Sequence, residues 1–190
     1  MRRMTGLLIG GVFGVVFVFV NSQPPLGHAL ALVLRIAAAV ALAGVVATWF
    51  LSAGRARSTG AEPGIGEGGK AGKMFGVGFA VVVVIEAVAL FGGIAVLRAL
   101  DRPEESNVAW IAVVVGVHFV ALGPIWKDRT IMVPGAVLTV LGVAGLVMTA
   151  TSAVAWVPLV SGVLSGVTLL AGCLAAAGRG LVAQRSLASG

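Results

Sequence analysis

Long apolar stretches alternate with short polar breaks along the whole chain. Five breaks divide the sequence, at 21–25, 53–73, 101–105, 127–129 and 151–152. The apolar stretches are each about 20 residues long, which is enough for a helix to cross a hydrocarbon core of ~30 Å. The pattern predicts an all-α, single-domain bundle of six transmembrane helices, with spans at about 5–21, 28–52, 74–98, 107–126, 131–150 and 153–177. The Gly-rich residues 53–73 are expected to form a flexible cytoplasmic loop.

Composition agrees with a chain that lies within a lipid bilayer. Hydrophobic residues make up 59% of the chain and charged residues only 11%, whereas soluble domains carry about 25% charged residues. The net charge of +6 does not indicate a nucleic-acid binder, because the basic residues are spread among the connections. The single cysteine, Cys173, excludes an intramolecular disulfide and is expected to be a small buried apolar residue.

The basic residues predict the orientation of the chain in the membrane. Placing both termini in the cytoplasm puts ten basic residues inside and only Arg98 and Arg102 outside, as the positive-inside rule requires. The four tryptophans then lie at predicted interfaces, where aromatic rings are enriched. We expect a multi-pass protein of a bacterial cytoplasmic membrane. The N-terminal segment also resembles a signal peptide, because Met1-Arg2-Arg3-Met4 gives a basic start to the apolar stretch, but Phe19-Val20-Asn21-Ser22 lacks the small residues of a cleavage site.

Small residues recur at four-residue spacing on two of the predicted helices. Gly6, Gly10 and Gly14 follow this pattern near the N-terminus, and Gly162 and Gly166 follow it on the last helix. Such faces allow helix backbones to approach closely in a membrane. We expect them to serve packing within one chain, with a homodimer or a membrane partner subunit as the alternative.

Three ionisable residues, Arg35, Glu86 and His118, lie inside the apolar stretches and form the candidate intramembrane polar site. Charged side chains are costly in lipid, so residues of this kind are candidates for function. Helical rise places Glu86 and His118 at similar depth on the third and fourth helices, which a short turn makes antiparallel neighbours. Arg35 lies somewhat nearer the outside, and its long side chain is expected to reach the same site.

Three interpretations of these residues remain open. In the first, Arg35 and Glu86 form a structural ion pair that fixes helix register, with His118 bonded to it. In the second, Glu86 carries a proton or cation, His118 relays it and Arg35 is the counter-ion. In the third, His118, with or without His28, ligates a haem or a metal.

Other chemistry finds little support in the sequence. The Gly-rich residues 64–70 lack the Lys-Ser/Thr pair and the strand–helix context of a phosphate-binding loop. HExxH and GxSxG motifs are absent from the sequence. We therefore assign no catalytic residue, no metal ligand and no cofactor, and we do not expect an enzyme.

Residues 72–146 carry a recognisable pattern. The apolar stretch from Gly72 to Leu97, a polar turn with Asp101, then Val115-Gly116-Val117-His118-Phe119 and Pro134-Gly135-Ala136 follow one another. This order resembles a group of uncharacterised multi-pass bacterial membrane proteins with a V-G-x-H-F-x-P-L pattern in the fourth helix. Ala121 stands where that group tends to have proline. The resemblance implies a six-helix membrane protein and again indicates Glu86 and His118, but it implies no activity.

The leading functional hypothesis from the sequence is a small permease or channel-like protein that moves a proton, an ion or a small solute. The alternative is a non-catalytic accessory or assembly protein of the membrane whose polar residues are structural. A membrane enzyme or haem carrier is the third hypothesis.

Overall fold

Helices form all the regular structure in the described part of the chain. The computed structural model describes residues 2–58, 77–126 and 128–188. Short 3₁₀ turns at Arg129–Ile131 and Val154–Trp156 and a π-helical turn at Pro158–Val163 connect or extend the main helices. The predicted all-α class is confirmed. The main helices are α1 (Arg2–Asn21), α2 (His28–Ser58), α3 (Val77–Ala99), α4 (Glu105–Trp126), α5 (Met132–Met148) and α6 (Leu164–Ala188).

Five of these helical segments are long and apolar enough to cross a membrane. They correspond to α2, α3, α4, α5 with its preceding 3₁₀ turn, and α6 with the turns before it. The apolar part of α1, Gly6–Asn21, is shorter, although α1 as a whole has 20 residues and is about 30 Å long. The chain therefore has the helices of a membrane protein, with α1 as the segment of marginal length.

Two helices extend further than the hydropathy pattern predicts. α2 continues through Ser58, so residues 53–58 are helical and not part of a loop. α6 continues through Ala188, beyond the predicted end at 177. The added residues are rich in Ala, Leu and Arg, which have high helix propensity, so the helix outlasts the apolar span. The rest of the predicted loop and the predicted helix start at 74 lie outside the described residues.

The last helix is the centre of the bundle. In the segment Val154–Gly180, 44% of an 18-residue apolar stretch is buried, the largest share among the candidate spans. Leu170 packs with Val18 of α1 and Ala38 of α2, whereas the adjacent Leu169 packs with α4 and α5. α6 therefore joins two groups of helices, α1–α2 on one side and α4–α5 on the other.

Glycines allow the central helices to approach closely. A Cβ atom on Gly166 would lie 2.5 Å from the carbonyl oxygen of Gly14, so α1 and α6 meet backbone to backbone. Gly10 of the same face lies against Cys173, and Gly162 lies against Asn21. The predicted packing within the chain is confirmed for these glycines, whereas a Cβ on Gly6 would meet no atom within 4 Å.

The α4–α5 hairpin is the most extensive helix pair. A Cβ on Gly116 would lie 2.7 Å from the carbonyl oxygen of Gly135, and the reverse approach is 2.8 Å. Such spacing leaves no room for side chains between the two backbones. The hairpin gives α3 a firm surface to pack on, and α3 is the outermost helix: none of its described residues is buried.

Candidate functional site

The candidate site lies along the surface where α3 packs on α4, here called the α3–α4 seam. Steps of three and four residues place side chains on one face of a helix. Glu86 is 13 residues before the end of α3 and His118 is 13 residues after the start of α4. Both are therefore about 20 Å from the α3–α4 turn along their helices. α3 packs extensively on α4 alone, and its half-buried residues are Phe79, Val82, Glu86, Ala89, Leu90, Gly93, Ile94 and Leu97.

Glu86 and His118 meet across this seam. The Nδ1 atom of His118 lies 2.8 Å from Oε2 of Glu86, within the range of an ion pair. The ring N–H is not aligned with that oxygen, so Nδ1, though buried, makes no hydrogen bond with the described residues. A protonated His118 would be held to Glu86 by charge, and rotation of the ring would bring the two groups into line for proton transfer.

Aromatic residues lie on both sides of the Glu86–His118 pair. Towards the α3–α4 turn, Trp110 donates a hydrogen bond from Nε1 to the carbonyl oxygen of Ala89 at 3.0 Å. The same indole fills the space beside Gly93, where a Cβ atom would collide with it. At the opposite end of the seam, the rings of Phe79 and Trp126 stack with centroids 6.2 Å apart. The polar pair is thus the middle of three layers in an otherwise apolar helix interface.

Arg35 does not join this pair. Its Nη2 atom donates a hydrogen bond to the carbonyl oxygen of Ser22 at 2.8 Å, just beyond the end of α1. No ion pair connects Arg35 with Glu86, both of which the structure describes. The expectation of a three-residue cluster is therefore wrong for Arg35. Carbonyl groups at a helix C-terminus lack partners in the helix and carry partial negative charge, which explains why an arginine binds there.

The described residues do not assemble a set of metal ligands around His118. They contain no group of three or more His, Cys, Asp and Glu side chains close enough to hold a metal ion. His28 is the exposed first residue of α2, while the Nδ1 atom of His118 faces Glu86. The two histidines are therefore in different surroundings, and the idea of a haem ligated by His118 gains no geometric support.

Sequence reasoning missed the aromatic layers of the seam. Phe79, Glu86 and Gly93 are spaced by seven residues on α3, while Trp110, His118 and Trp126 are spaced by eight on α4. Both spacings are close to two helical turns, so on antiparallel neighbouring helices they predict three layers of facing residues. The sequence analysis assigned the tryptophans only to the membrane–water interfaces. It did not predict the contacts of Trp110 and Trp126 with α3.

Three buried serines, Ser106, Ser161 and Ser165, were also missed by sequence reasoning. Ser161, in the π-helical turn, donates a hydrogen bond to the carbonyl oxygen of Leu141 at 2.9 Å. The hydroxyl groups of Ser106 and Ser165 are buried and have no hydrogen-bond partner among the described residues. Serine is small enough for close helix packing, and hydropathy patterns give it little weight.

No protein-family model matches the chain, and no curated protein or solved structure matches it significantly. The resemblance to the multi-pass bacterial group stays a prediction.

Proposed function

We propose that the chain crosses a bacterial cytoplasmic membrane six times, with both termini in the cytoplasm. Five helices have the required length and apolar character, and the 20 residues of α1 supply the sixth crossing. The basic residues support this orientation, since ten lie in connections and ends assigned to the cytoplasm and two in those assigned outside.

Within this topology, the protein acts as a small permease that moves a proton, an ion or a small solute. The 2.8 Å approach of Glu86 and His118 carries the proposal, because it places two proton-binding groups together about 20 Å along both helices. Carboxyl and imidazole groups within membrane helices are characteristic of proton pathways. Glu86 is the group that takes up and releases the charge, and His118 is its relay partner.

Replacement of Glu86 tests this function. Glu86→Gln keeps the shape of the side chain and removes its ability to carry a proton. In proteoliposomes with an imposed pH gradient, we expect the variant to lose the protein-dependent proton flux, by tenfold or more, while its elution on size-exclusion chromatography is unchanged. His118→Gln should reduce the flux as well, since the relay is then broken.

Glu105→Gln is the matched control for that experiment. Glu105 is the first residue of α4 and lies far from the seam pair, so its replacement should leave the flux at the wild-type value. A folded Glu86→Gln variant with wild-type flux would refute the proposed role of Glu86.

An accessory role is the second candidate function, and the outward face of α3 favours it. Val77, Val84, Val88 and Phe91 are each more than 60% exposed on this face. Since α3 buries none of its described residues, another membrane subunit would find room to pack on it in place of lipid. In that case Glu86→Gln would lower the stability of the protein, and wild-type proteoliposomes would show no proton flux above that of empty ones.

A further inference from the structure

Glu86 is more open than its partner. Its side chain is 25% exposed, compared with 14% for His118. α3 packs extensively on α4 alone, so the uncovered side of Glu86 faces away from the bundle at the edge of the seam. About 20 Å from the α3–α4 turn, that side faces the acyl chains of the bilayer in the proposed topology.

Among the residues that the structure describes, the negative charge of Glu86 is only partly balanced. His118 is the titratable group that α4 presents to it, and its imidazole is positive only when protonated. Arg35 is bonded to Ser22, and Arg98, in the last turn of α3, is about 18 Å away along the helix. An ionised Glu86 therefore attracts a positive charge from outside the chain, either a proton or another cation.

The surroundings of Glu86 select the kind of cation. The residues one turn away on α3 are Val82, Val83, Ala89 and Leu90, and none of them offers an oxygen ligand from its side chain. Metal cations such as Mg²⁺ and Ca²⁺ need six or more oxygen ligands, which this seam does not provide. The apolar side chains around Glu86 instead suit an organic cation with a hydrophobic body.

From these contacts we infer that Glu86 binds lipophilic organic cations that approach it from the acyl-chain region of the membrane. The cation and a proton compete for the same carboxylate, so binding to a protonated Glu86 releases its proton. The inference rests on the proposed function, since it names the substrate class that the permease exchanges for protons. The chain's own contribution is a single carboxylate, a neighbouring imidazole that relays the released proton towards water, and an apolar approach.

Binding of tetraphenylphosphonium to the purified full-length protein in lipid nanodiscs tests the inference. Over the pH range in which Glu86 is protonated without ligand, we expect the affinity to fall about tenfold for each unit by which the pH is lowered. In weak buffer, binding over this range should release close to one proton per bound cation. Empty nanodiscs measure the cation that simply partitions into lipid.

The variants separate a specific site from nonspecific adsorption. Glu86→Gln should abolish the pH-dependent binding, whereas Glu86→Asp keeps the carboxyl group and should retain pH dependence with reduced affinity. Glu105→Gln should bind like the wild type. Binding that is independent of pH, or that persists in Glu86→Gln, would overturn the inference. If Glu86→Gln does not fold, the number of protons that the wild-type protein releases per bound cation decides the inference.

Comparison with the proton-flux experiment distinguishes this inference from the proposed function. Glu86-dependent flux without Glu86-dependent cation binding would overturn the inference and leave the permease proposal standing. Cation binding with proton release but without any flux would support the inferred site and refute transport. The absence of both would refute both.

Discussion

Arg35 and Glu86 are both ionisable residues in apolar stretches, but they have different partners. Arg35 reaches back to the carbonyl oxygen of Ser22, where a cation stabilises the end of α1. Glu86 meets His118 on the neighbouring helix. Because the side chain of arginine is long and flexible, its partner cannot be identified from depth in the membrane alone.

Replacement of Arg35 should therefore affect stability and not proton movement. In Arg35→Met the buried carbonyl of Ser22 loses its donor, which costs about 1–3 kcal/mol of unfolding free energy. We expect denaturant titration in mixed micelles to show this loss, while the proton flux per folded molecule stays at the wild-type level.

Arg98→Met is the control for this prediction, because Arg98 is an exposed residue in the last turn of α3. Its replacement should change the unfolding free energy by less than about 0.5 kcal/mol. A collapse of proton flux in folded Arg35→Met would restore Arg35 to the functional site.

Among the helices, the closest packing and the candidate site occupy different surfaces of α4. One surface of α4 meets α5 through Gly116 and Gly135, with the backbones nearly touching. Another meets α3 through the seam, where α3 has no fully buried residue along its described length. A tightly packed hairpin thus supports a loosely attached helix, which is a suitable arrangement for a site that must admit a ligand or a proton from one side.

Overpacking at Gly135 tests the importance of the α4–α5 contact. In Gly135→Ala the new methyl group would lie 2.8 Å from the carbonyl oxygen of Gly116 and from Cβ of Phe119, unless the helices separate. We expect a loss of about 1–3 kcal/mol of unfolding free energy in mixed micelles.

Gly92→Ala provides the comparison on α3, where a Cβ atom would meet nothing within 4 Å. Alanine has the higher helix propensity, so this change should leave the stability unchanged or raise it by up to about 1 kcal/mol. Equal losses in the two variants would show that the close approach at Gly135 is unimportant.

For the whole molecule, the number of membrane crossings determines the direction of each helix and the side on which each terminus lies. Six crossings place the first and last residues on the same side, whereas five would separate them. α1 decides between these cases, because its apolar part is the shortest of the candidate segments. The charge asymmetry supports six crossings.

Single cysteines in a Cys173→Ala background test the topology. Gly6→Cys and Thr130→Cys should be protected from a membrane-impermeant maleimide in intact cells, while Gln23→Cys and Ser152→Cys should react. Residues 23, 130 and 152 are exposed in the structure, and Gly6 has free space around it. Reaction of both Gly6→Cys and Gln23→Cys would show that α1 does not cross.

The sequence by itself determined the helical class, the approximate positions of the helices and the similar depth of Glu86 and His118 on neighbouring helices. Hydropathy reports the length of each apolar stretch, and a short turn forces the next helix to run antiparallel beside the first. Depth then follows from the constant helical rise, so two residues equally far from one turn are brought to the same level.

Only the tertiary structure decided which faces meet. Rotation of a helix about its axis leaves hydropathy and depth unchanged, so the sequence did not reveal that Arg35 turns to α1 or that Trp110 fills the space beside Gly93. The same holds for the outermost position of α3, which leaves Glu86 partly open. Helix length also depends on the helix propensity of the residues that follow the apolar stretch. For this reason α2 and α6 extend past their apolar spans.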